Sequence, residues 1–431
     1  MRVSRLAMTL ALTVSLVVSC TRQPQPAADV PAAPGIQPSV QARPGWAAFT
    51  EKVIETRFKA EPQFAAGSGR HEFDGQLPDW SRAALDDELA QLRAQLAELE
   101  QFDASQLAAA ERIERDYLRW VIETEIFWRD SAQWPFRNPA WYLDKLVPSM
   151  YLTREYAPLP KRLEAFLSYA RAVPRSLAEI RANLRTPLPR PYIERGAAAF
   201  SGYAAFFRND MPAIIDQAGD ETLERSLREA TASAATAMDD LAKWLQSQRA
   251  TATDDFALGA AKFSEMLRVT ERVDVPLEEL ELVGRKDLER NLAALAEACA
   301  AFAPKATLAA CVEKMRANKP AGGTLEGARA QLVALREFVR DHEIATIPNQ
   351  EQALVAESPP FNRGNFAYIS IPGPYENPAV KTTYYVAPPD AKWSVAQRDA
   401  YLPGRAYLLY VSVHEVWPGH YLHSQVANRN A

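Results

Sequence analysis

Cysteine is scarce in this chain, with three residues among 431. Three thiols are too few for a sulfur-rich metal site or for a framework of several disulfides. Glycine is scarce as well, at 17 residues, and no glycine-rich loop of the kind that cradles phosphate groups occurs. No serine stands at a nucleophile elbow. The chain therefore lacks the sequence signatures of phosphate-loop proteins and of α/β-fold serine hydrolases.

The chain also lacks a large excess of positive or negative charge. The net charge is −5, and 24% of the residues are charged, which gives no electrostatic case for binding nucleic acid. Hydrophobic residues make up 48% of the chain, and this share supports a large core. The composition is that of an ordinary globular protein.

Helical periodicity dominates the body of the chain. In residues 85–96, apolar side chains recur at helical spacing with charged residues opposite them. Two stretches differ: residues 366–375 and 382–386 are β-rich and are separated by turn-forming residues. We therefore expect a mainly α fold with a short β-hairpin. Similar helical patterns occur around residues 105–128, 158–184, 221–250, 276–300 and 324–343.

Residues 1–20 form a predicted signal peptide. Two arginines precede an apolar stretch, and residues 17–20 (Val-Val-Ser-Cys) fit a bacterial lipoprotein cleavage box. Cys20 would then carry lipid and anchor the protein to the outer membrane on its periplasmic face. The alternative is a signal peptide cleaved nearby, or an uncleaved anchor, with an incidental cysteine. Residues 21–45 are rich in proline, alanine and glutamine and predict a flexible tether, followed by a helical domain over 46–431.

The other two cysteines, Cys299 and Cys311, flank a turn-forming stretch at residues 303–305. Outside the cytoplasm such a pair can form a disulfide that closes a helical hairpin. Two buried free thiols are the alternative.

Histidine is rare too, but its distribution is informative. Three of the five histidines (His414, His420 and His423) fall within ten positions, and residues 414–420 read His-Glu-Val-Trp-Pro-Gly-His. Zinc peptidases use a His-Glu pair followed by a second histidine about one helical turn later, and the glutamate handles the proton of the attacking water. We therefore predict His414 and His420 as zinc ligands and Glu415 as the general base.

The spacing in this motif is modified. In a straight helix of about 100° per residue, His420 would lie roughly 120° around the axis from His414, and both could not reach one metal ion. Pro418 lacks a backbone N–H, and Gly419 tolerates unusual backbone angles. We expect this pair to break the helix after Trp417 and to bring the second histidine back toward the first.

Residues 403–413 are apolar and predict a buried helix that carries His414 and Glu415 into the site. The alternative is that these two residues are a buried structural pair and that Pro-Gly simply ends a helix. In the predicted hairpin, Tyr384 or Tyr385 is a candidate hydrogen-bond donor to the developing oxyanion, unless both pack beneath the hairpin. The hairpin could also hold substrate as an added strand.

A third protein ligand is expected, because catalytic zinc usually has three and keeps one position open. In peptidases of this type it is usually a glutamate on a later helix, and no acidic residue follows Glu415. We expect the chain to be a fragment. The alternatives are an upstream third ligand or an inactive relative.

The sequence resembles a bacterial family known as domain of unknown function 885 (DUF885). Its members are mostly helical, are often secreted or lipid-anchored, and are related in fold to zinc carboxypeptidases and oligopeptidases. The resemblance spans roughly 46–431 and is most specific at 414–420. It implies His414 and His420 as metal ligands and Glu415 as general base or acid. Weaker matches lie at residues 62–67, 77–81, 258–259, 357–360 and 384–386.

The chain departs from this family pattern in two places. The family commonly continues as His-His-Leu-Gln after Pro-Gly, whereas this chain reads His-Tyr-Leu-His, so His423 is not a family ligand. The family also has a downstream Glu-Gly-Trp-Ala segment that would supply the third carboxylate, and this chain ends before it.

The expected function is zinc-dependent hydrolysis of peptide bonds in short peptides in the cell envelope, with Glu415 activating the water. A second hypothesis is a non-catalytic envelope lipoprotein that keeps the peptidase fold for binding or scaffolding. A third is a zinc hydrolase of another amide or ester, because zinc and water alone do not determine the substrate.

Overall fold

The computed structural model of the protein describes residues 45–359 and 362–428. These residues are mainly helical, with a small three-stranded sheet near the C-terminus. They divide into two compact units, one formed by residues 274–318 and a larger one formed by the rest. The predicted signal peptide, Cys20 and the predicted tether up to residue 44 lie outside the described residues.

The helices and strands have the following bounds. The α-helices are α1 (Trp46–Ala60), α2 (Pro62–Gly67), α3 (Arg82–Leu99), α4 (Ala109–Ile126), α5 (Trp134–Arg137), α6 (Ser149–Thr153), α7 (Leu159–Asn183), α8 (Arg190–Asn209), α9 (Met211–Ile215), α10 (Glu221–Ser247), α11 (Ala260–Thr270), α12 (Leu277–Phe302), α13 (Leu308–Ala317), α14 (Thr324–Asp341), α15 (Val395–Tyr401), α16 (Arg405–Glu415) and α17 (His420–Ala427). The strands are β1 (Leu354–Glu357), β2 (Ala367–Ser370) and β3 (Thr383–Val386). Within the described residues, no helix combines the length and the apolarity needed to cross a membrane.

The largest hydrophobic core lies among α7, α8 and α10. Helix α10 begins after Asp220, whose side chain accepts the backbone N–H groups of Thr222 and Leu223 at 2.9 and 2.7 Å. This cap satisfies donors that have no partner inside the helix. Apolar residues then recur at helical spacing on one face of α10, which packs against both neighbours. The buried members of that face are Leu227, Ala230, Ala234, Ala235, Met238, Leu241, Ala242 and Leu245.

The smaller unit is a helical hairpin of α12 and α13. Cys299, near the end of α12, is joined by a disulfide to Cys311 in α13, with Cα atoms 5.8 Å apart. Lys305 turns the chain between the helices at a φ of 69°. The predicted pairing of the two cysteines across a helical hairpin is confirmed.

The sheet has the strand order β1-β3-β2. Strand β2 is antiparallel to β3, and Ala367 lies opposite Val386. This pair confirms the predicted hairpin. Strand β1, which was not predicted, runs parallel to β3, so β3 is the central strand of a three-stranded sheet. Because side chains alternate along a strand, Tyr384 and Val386 face the core while Tyr385 points to the other side.

A backbone joint ties residues 67–71 to residues 371–376, which lie between β2 and β3. The N–H of Tyr375 donates to the carbonyl of Ser68 at 2.9 Å. The largely buried guanidinium of Arg154 donates to one carbonyl on each side of the joint, at 2.7 and 3.1 Å. The segment that leads into β3 is therefore held against the N-terminal helices of the same unit.

The imidazole of His71 strengthens this joint. One ring nitrogen lies 3.1 Å from the carboxylate of Asp74, and the other lies 3.1 Å from the buried carboxylate of Glu376. The ring also stacks on Tyr156, with ring centroids 3.8 Å apart. Residues some 300 positions apart in the sequence thus meet through one side chain.

We expect Gly69→Ala to destabilise the protein by about 3 kcal/mol, because the joint leaves no room for a side chain. Gly69 has a φ of 98°, and a Cβ there would lie well inside 3.0 Å of the backbone nitrogen of Glu376. Gly67 is the matched control, since it is helical and a Cβ there meets nothing within 4 Å. Urea denaturation of both alanine variants measures the effect, and equal stabilities would contradict it.

Candidate metal centre

Helix α16 carries the first half of the histidine motif. It packs against α14 and buries Leu408 and Ser412, whereas Tyr410 is 45% exposed. The predicted buried helix over 403–413 is therefore corrected in two ways: it spans Arg405–Glu415, and only one of its faces is buried. Periodicity could not distinguish these alternatives, because both faces of this helix are apolar.

The helix ends at Glu415, earlier than the predicted break after Trp417. Val416 leaves the helical region with φ −124° and ψ −70°, and the carbonyl of Ser412 accepts the N–H groups of both Val416 and Trp417. The peptide bond between Trp417 and Pro418 is cis. A new helix, α17, then begins at His420.

This break brings the two histidines together. The Nε2 atoms of His414 and His420 are 3.2 Å apart, and the rings are nearly perpendicular with centroids 4.7 Å apart. Gly419 makes the approach possible, because a Cβ on it would overlap the carbonyl group of His414. The glycine is therefore required for close backbone packing.

The separation of the two ring nitrogens fits a shared zinc ion. Zinc–nitrogen bonds of 2.0–2.1 Å at a tetrahedral angle put two imidazole nitrogens about 3.3 Å apart. The same distance also suits a hydrogen bond between the two rings. Within residues 45–359 and 362–428, no group of three His, Cys, Asp or Glu side chains is arranged to hold a metal ion. The described site thus offers a fitting pair of ligands rather than a complete set.

Glu415 lies half-buried beside the histidine pair. Burial raises the pKa of its carboxyl group, and the neighbouring His414 and His420 oppose that shift. A carboxylate with a raised pKa holds a proton better near neutral pH, which suits a group that accepts and returns protons. The chemistry of Glu415 is therefore compatible with the predicted general base.

The histidines face an open depression on the surface. His423 contributes to its wall from α17, one turn after His420, and is exposed to solvent. Three imidazoles therefore border the same space, although His423 is not part of the motif. The residues that line the depression are Val413, His414, Pro418, Gly419, His420 and His423.

The two candidate tyrosines point in different directions. Tyr384 is fully buried, and among the described residues its hydroxyl group has no hydrogen-bond partner of good geometry. Burial raises its pKa to about 12, nearby Ser412 opposes that shift, and Glu415 adds to it. Tyr385 faces the other side of the sheet and stacks on Tyr368, with ring centroids 5.0 Å apart. The structure thus brings Tyr384 under the motif and turns Tyr385 away from it.

Two polar residues beneath the motif were not predicted. Gln331, on α14, donates from its amide nitrogen to the carbonyl of Arg405 at 3.0 Å. Its amide oxygen accepts from the hydroxyl of Ser412 at 3.2 Å, and Ser412 is fully buried. No local pattern could identify this pair, because Gln331 lies 81 positions before Ser412 in the sequence.

Comparisons with known proteins agree with this mainly helical fold. A solved "putative lipoprotein of unknown function" from Shewanella oneidensis has a TM-score of 0.67 and 22% identity, covering 90% of this chain and 73% of its own. A "putative lipoprotein" from Colwellia psychrerythraea has a TM-score of 0.68 and 12% identity, covering 89% and 72%. At these identities the likeness shows the fold alone.

Family membership rests on the sequence. No curated protein matches the chain. The model of a bacterial family of unknown function matches residues 62–431, which include the whole histidine motif. The chain therefore belongs to the DUF885 family of bacterial proteins of unknown function.

Proposed function

We propose that this protein is a zinc-dependent peptidase of the bacterial cell envelope that hydrolyses short peptides. The single observation that carries the proposal is the 3.2 Å separation of the His414 and His420 Nε2 atoms, with Glu415 beside them. The family resemblance adds a carboxypeptidase- or oligopeptidase-like architecture to the proposal. The distance is close to that of a tetrahedral ligand pair, and the glutamate next to His414 supports a metal site over a simple hydrogen bond between the two rings.

Each residue of the motif has a separate role in the proposed reaction. His414 and His420 hold the metal, and zinc supplies a Lewis acid that polarises the scissile carbonyl and makes water easier to deprotonate. Glu415 accepts the proton of the attacking water and passes it to the leaving amine. The open depression gives a substrate access to the exposed rings of both histidines. The buried hydroxyl of Tyr384 does not face this space, so we propose no direct contact between it and the substrate.

The proposed setting is the periplasmic face of the outer membrane. A lipid on Cys20 would anchor the chain, and residues 21–45 would let the catalytic domain reach peptides away from the bilayer. The similarity in fold to two proteins named as lipoproteins supports this setting. Its substrates would be short peptides in the periplasm.

A second function is a non-catalytic lipoprotein that uses the fold for binding. The observation in its favour is that the described residues present two fitting ligands and no group of three. Such a protein would bind zinc weakly or not at all. The two functions therefore predict different zinc contents for the purified protein.

The first experiment is the zinc content of the purified protein. We expect close to one zinc per chain, and we expect His414→Ala to lose it because one of the two fitting ligands is removed. His342→Ala is the matched control, because His342 stacks on Phe338 and belongs to no such pair. Zinc retained by His414→Ala would reject the proposed site, and an unaltered protein without zinc would favour the non-catalytic function.

We expect Glu415→Gln to reduce the rate of peptide hydrolysis by about 10²- to 10⁴-fold while leaving the zinc content unchanged. The amide keeps the size of the side chain but cannot accept a proton. Mass spectrometry of a defined mixture of short peptides measures the rate, and metal analysis of the same sample provides the control. Full activity in this variant would exclude Glu415 as the base.

A further inference from the structure

Two polar contacts between α14 and α16 involve the partly exposed side chain of Gln331. The amide group of Gln331 bonds to Arg405, at the start of α16, and to Ser412, two turns later. A helical carbonyl points toward the C-terminus and a helical side chain leans toward the N-terminus, so these two groups converge on one neighbouring residue. Gln331 therefore holds α16 at two levels along its axis.

The surroundings of this contact are apolar. The core between α14, the sheet and α16 contains Ala328, Leu332, Leu408 and Val416. Ser412 is fully buried, and a buried hydroxyl costs free energy unless it is hydrogen-bonded. Sliding α16 along α14 would break both bonds of Gln331, whereas the apolar contacts alone could be remade after a shift. The pair therefore selects one position of α16.

Ser412 connects this position to the histidines. Its carbonyl accepts the N–H groups of Val416 and Trp417, which is where α16 ends and the chain turns toward His420. The residue stands two positions before His414. A shift of Ser412 would therefore move the helix end and change the distance between the two rings.

Tyr384 also lies close to Ser412. Its buried hydroxyl is beside the Ser412 hydroxyl but outside hydrogen-bonding geometry. Ser412 donates its own hydrogen to the amide oxygen of Gln331. Gln331 is thus the partner that fixes the orientation of the Ser412 hydroxyl.

We propose that Gln331 is a positioning residue that acts through Ser412 to set the separation of His414 and His420. This inference deepens the metal centre of the proposed function and rests on it for its purpose. It assigns a role in the site to α14, a helix that carries none of the motif.

The test is the Gln331→Met variant of the full chain, which keeps the length of the side chain and removes both hydrogen bonds. The protein has only five histidines, so selective isotope labelling gives five imidazole signals in NMR spectra. We expect the signals of His414 and His420 to shift while those of His71 and His342 stay unchanged. We also expect zinc affinity to fall by about 10- to 100-fold, as for other partners that orient metal ligands.

Ser412→Ala and the double variant sharpen the test. If both residues act as one unit, either single change should produce nearly the whole effect, and the double variant should add little. Gln217→Met is the matched control, because that exposed amide lies just after α9 and donates to the carbonyl of Ala213, four positions before it. Thermal unfolding without metal separates a loss of stability from a change at the histidines.

The outcomes separate the two proposals. Shifted histidine signals together with weakened zinc binding support both the positioning role of Gln331 and the peptidase function. Shifted signals in a protein that never binds zinc support the positioning role and reject the peptidase. Normal zinc affinity and unshifted signals in Gln331→Met overturn the positioning role and leave the peptidase proposal intact.

Discussion

Gly419→Ala is expected to abolish tight zinc binding, with a loss in affinity of about 100-fold or more. An added Cβ would lie well inside 3.0 Å of the carbonyl group of His414 and of the carbonyl oxygen of Val413. Both are backbone groups in the last turn of α16, which cannot move aside without unwinding that turn. Helix α17 must therefore shift, and His420 shifts with it.

Calorimetric titration with zinc measures this effect directly. Gly202→Ala is the matched control, because Gly202 is an exposed helical residue where a Cβ meets nothing within 4 Å. That change should leave affinity unaltered and should stabilise α8 by up to about 1 kcal/mol, since alanine favours the helix. Wild-type affinity in Gly419→Ala would mean that zinc does not depend on the observed approach of the two histidines.

The histidine site was partly predictable because its key geometry is local. Pro418 and Gly419 stand between the two histidines, so a break in the helix could be inferred from their backbone chemistry alone. The structure brings the rings together across that break. The role of Gln331 was not predictable, because it depends on which helix packs beneath α16. That information lies in tertiary packing and not in the motif.

The helices show the same division between local and distant information. The six strongly periodic segments coincide with α3, α4, α7, α10, α12 and α14. Helices contain proline in two places: α7 continues through Pro174, and α8 begins at Arg190 with Pro191 in its first turn. Burial of Val173 and Leu177 on either side of Pro174 outweighs the lost hydrogen bond. A proline in the first turn removes no helical bond at all.

Arg129→Leu is expected to cost about 3–5 kcal/mol of stability, because it would leave the largely buried carboxylate of Glu88 without its ion-pair partner. Arg129 is 7% exposed and lies 2.5 Å from Glu88 and 3.4 Å from Glu125. Glu61 lies 3.8 Å from the same guanidinium and 2.5 Å from Lys145. Arg129 thus contacts three carboxylates, and Arg57 also contacts two of them, Glu61 and Glu125.

The loss of stability caused by Arg129→Leu should be larger at neutral pH than at acid pH. Burial raises the pKa of Glu88 even with Arg129 present, so loss of the cation raises it further. A carboxyl group whose folded pKa exceeds its unfolded pKa favours the folded state below the unfolded value and opposes it as pH rises. The charge on Glu88 therefore destabilises the variant most at neutral and alkaline pH, and acid reduces the penalty.

Glu61 makes the opposite contribution in the unaltered protein. Burial raises the pKa of Glu61, but Lys145, Arg57 and Arg129 together bring it below its ordinary value. Its stabilising charge is present above the unfolded pKa and is lost as pH falls through the folded pKa. Acid therefore removes the stabilising charge of Glu61 from the unaltered protein, and it removes the destabilising charge of Glu88 from the variant. The difference between their free energies of unfolding should therefore be smaller at acid pH.

Urea denaturation at pH 7.5 and pH 4.5 tests both statements. Arg93→Leu is the matched control, because Arg93 pairs with Asp130 at 2.5 Å while both side chains remain about half exposed. An exposed pair contributes less than about 1 kcal/mol, so this change should have little effect at either pH. A cost for Arg129→Leu as small as that of Arg93→Leu would show that water solvates the carboxylates around Arg129. A larger cost that does not change with pH would instead point to lost packing of the guanidinium against Trp141, whose ring centroid lies 5.1 Å away.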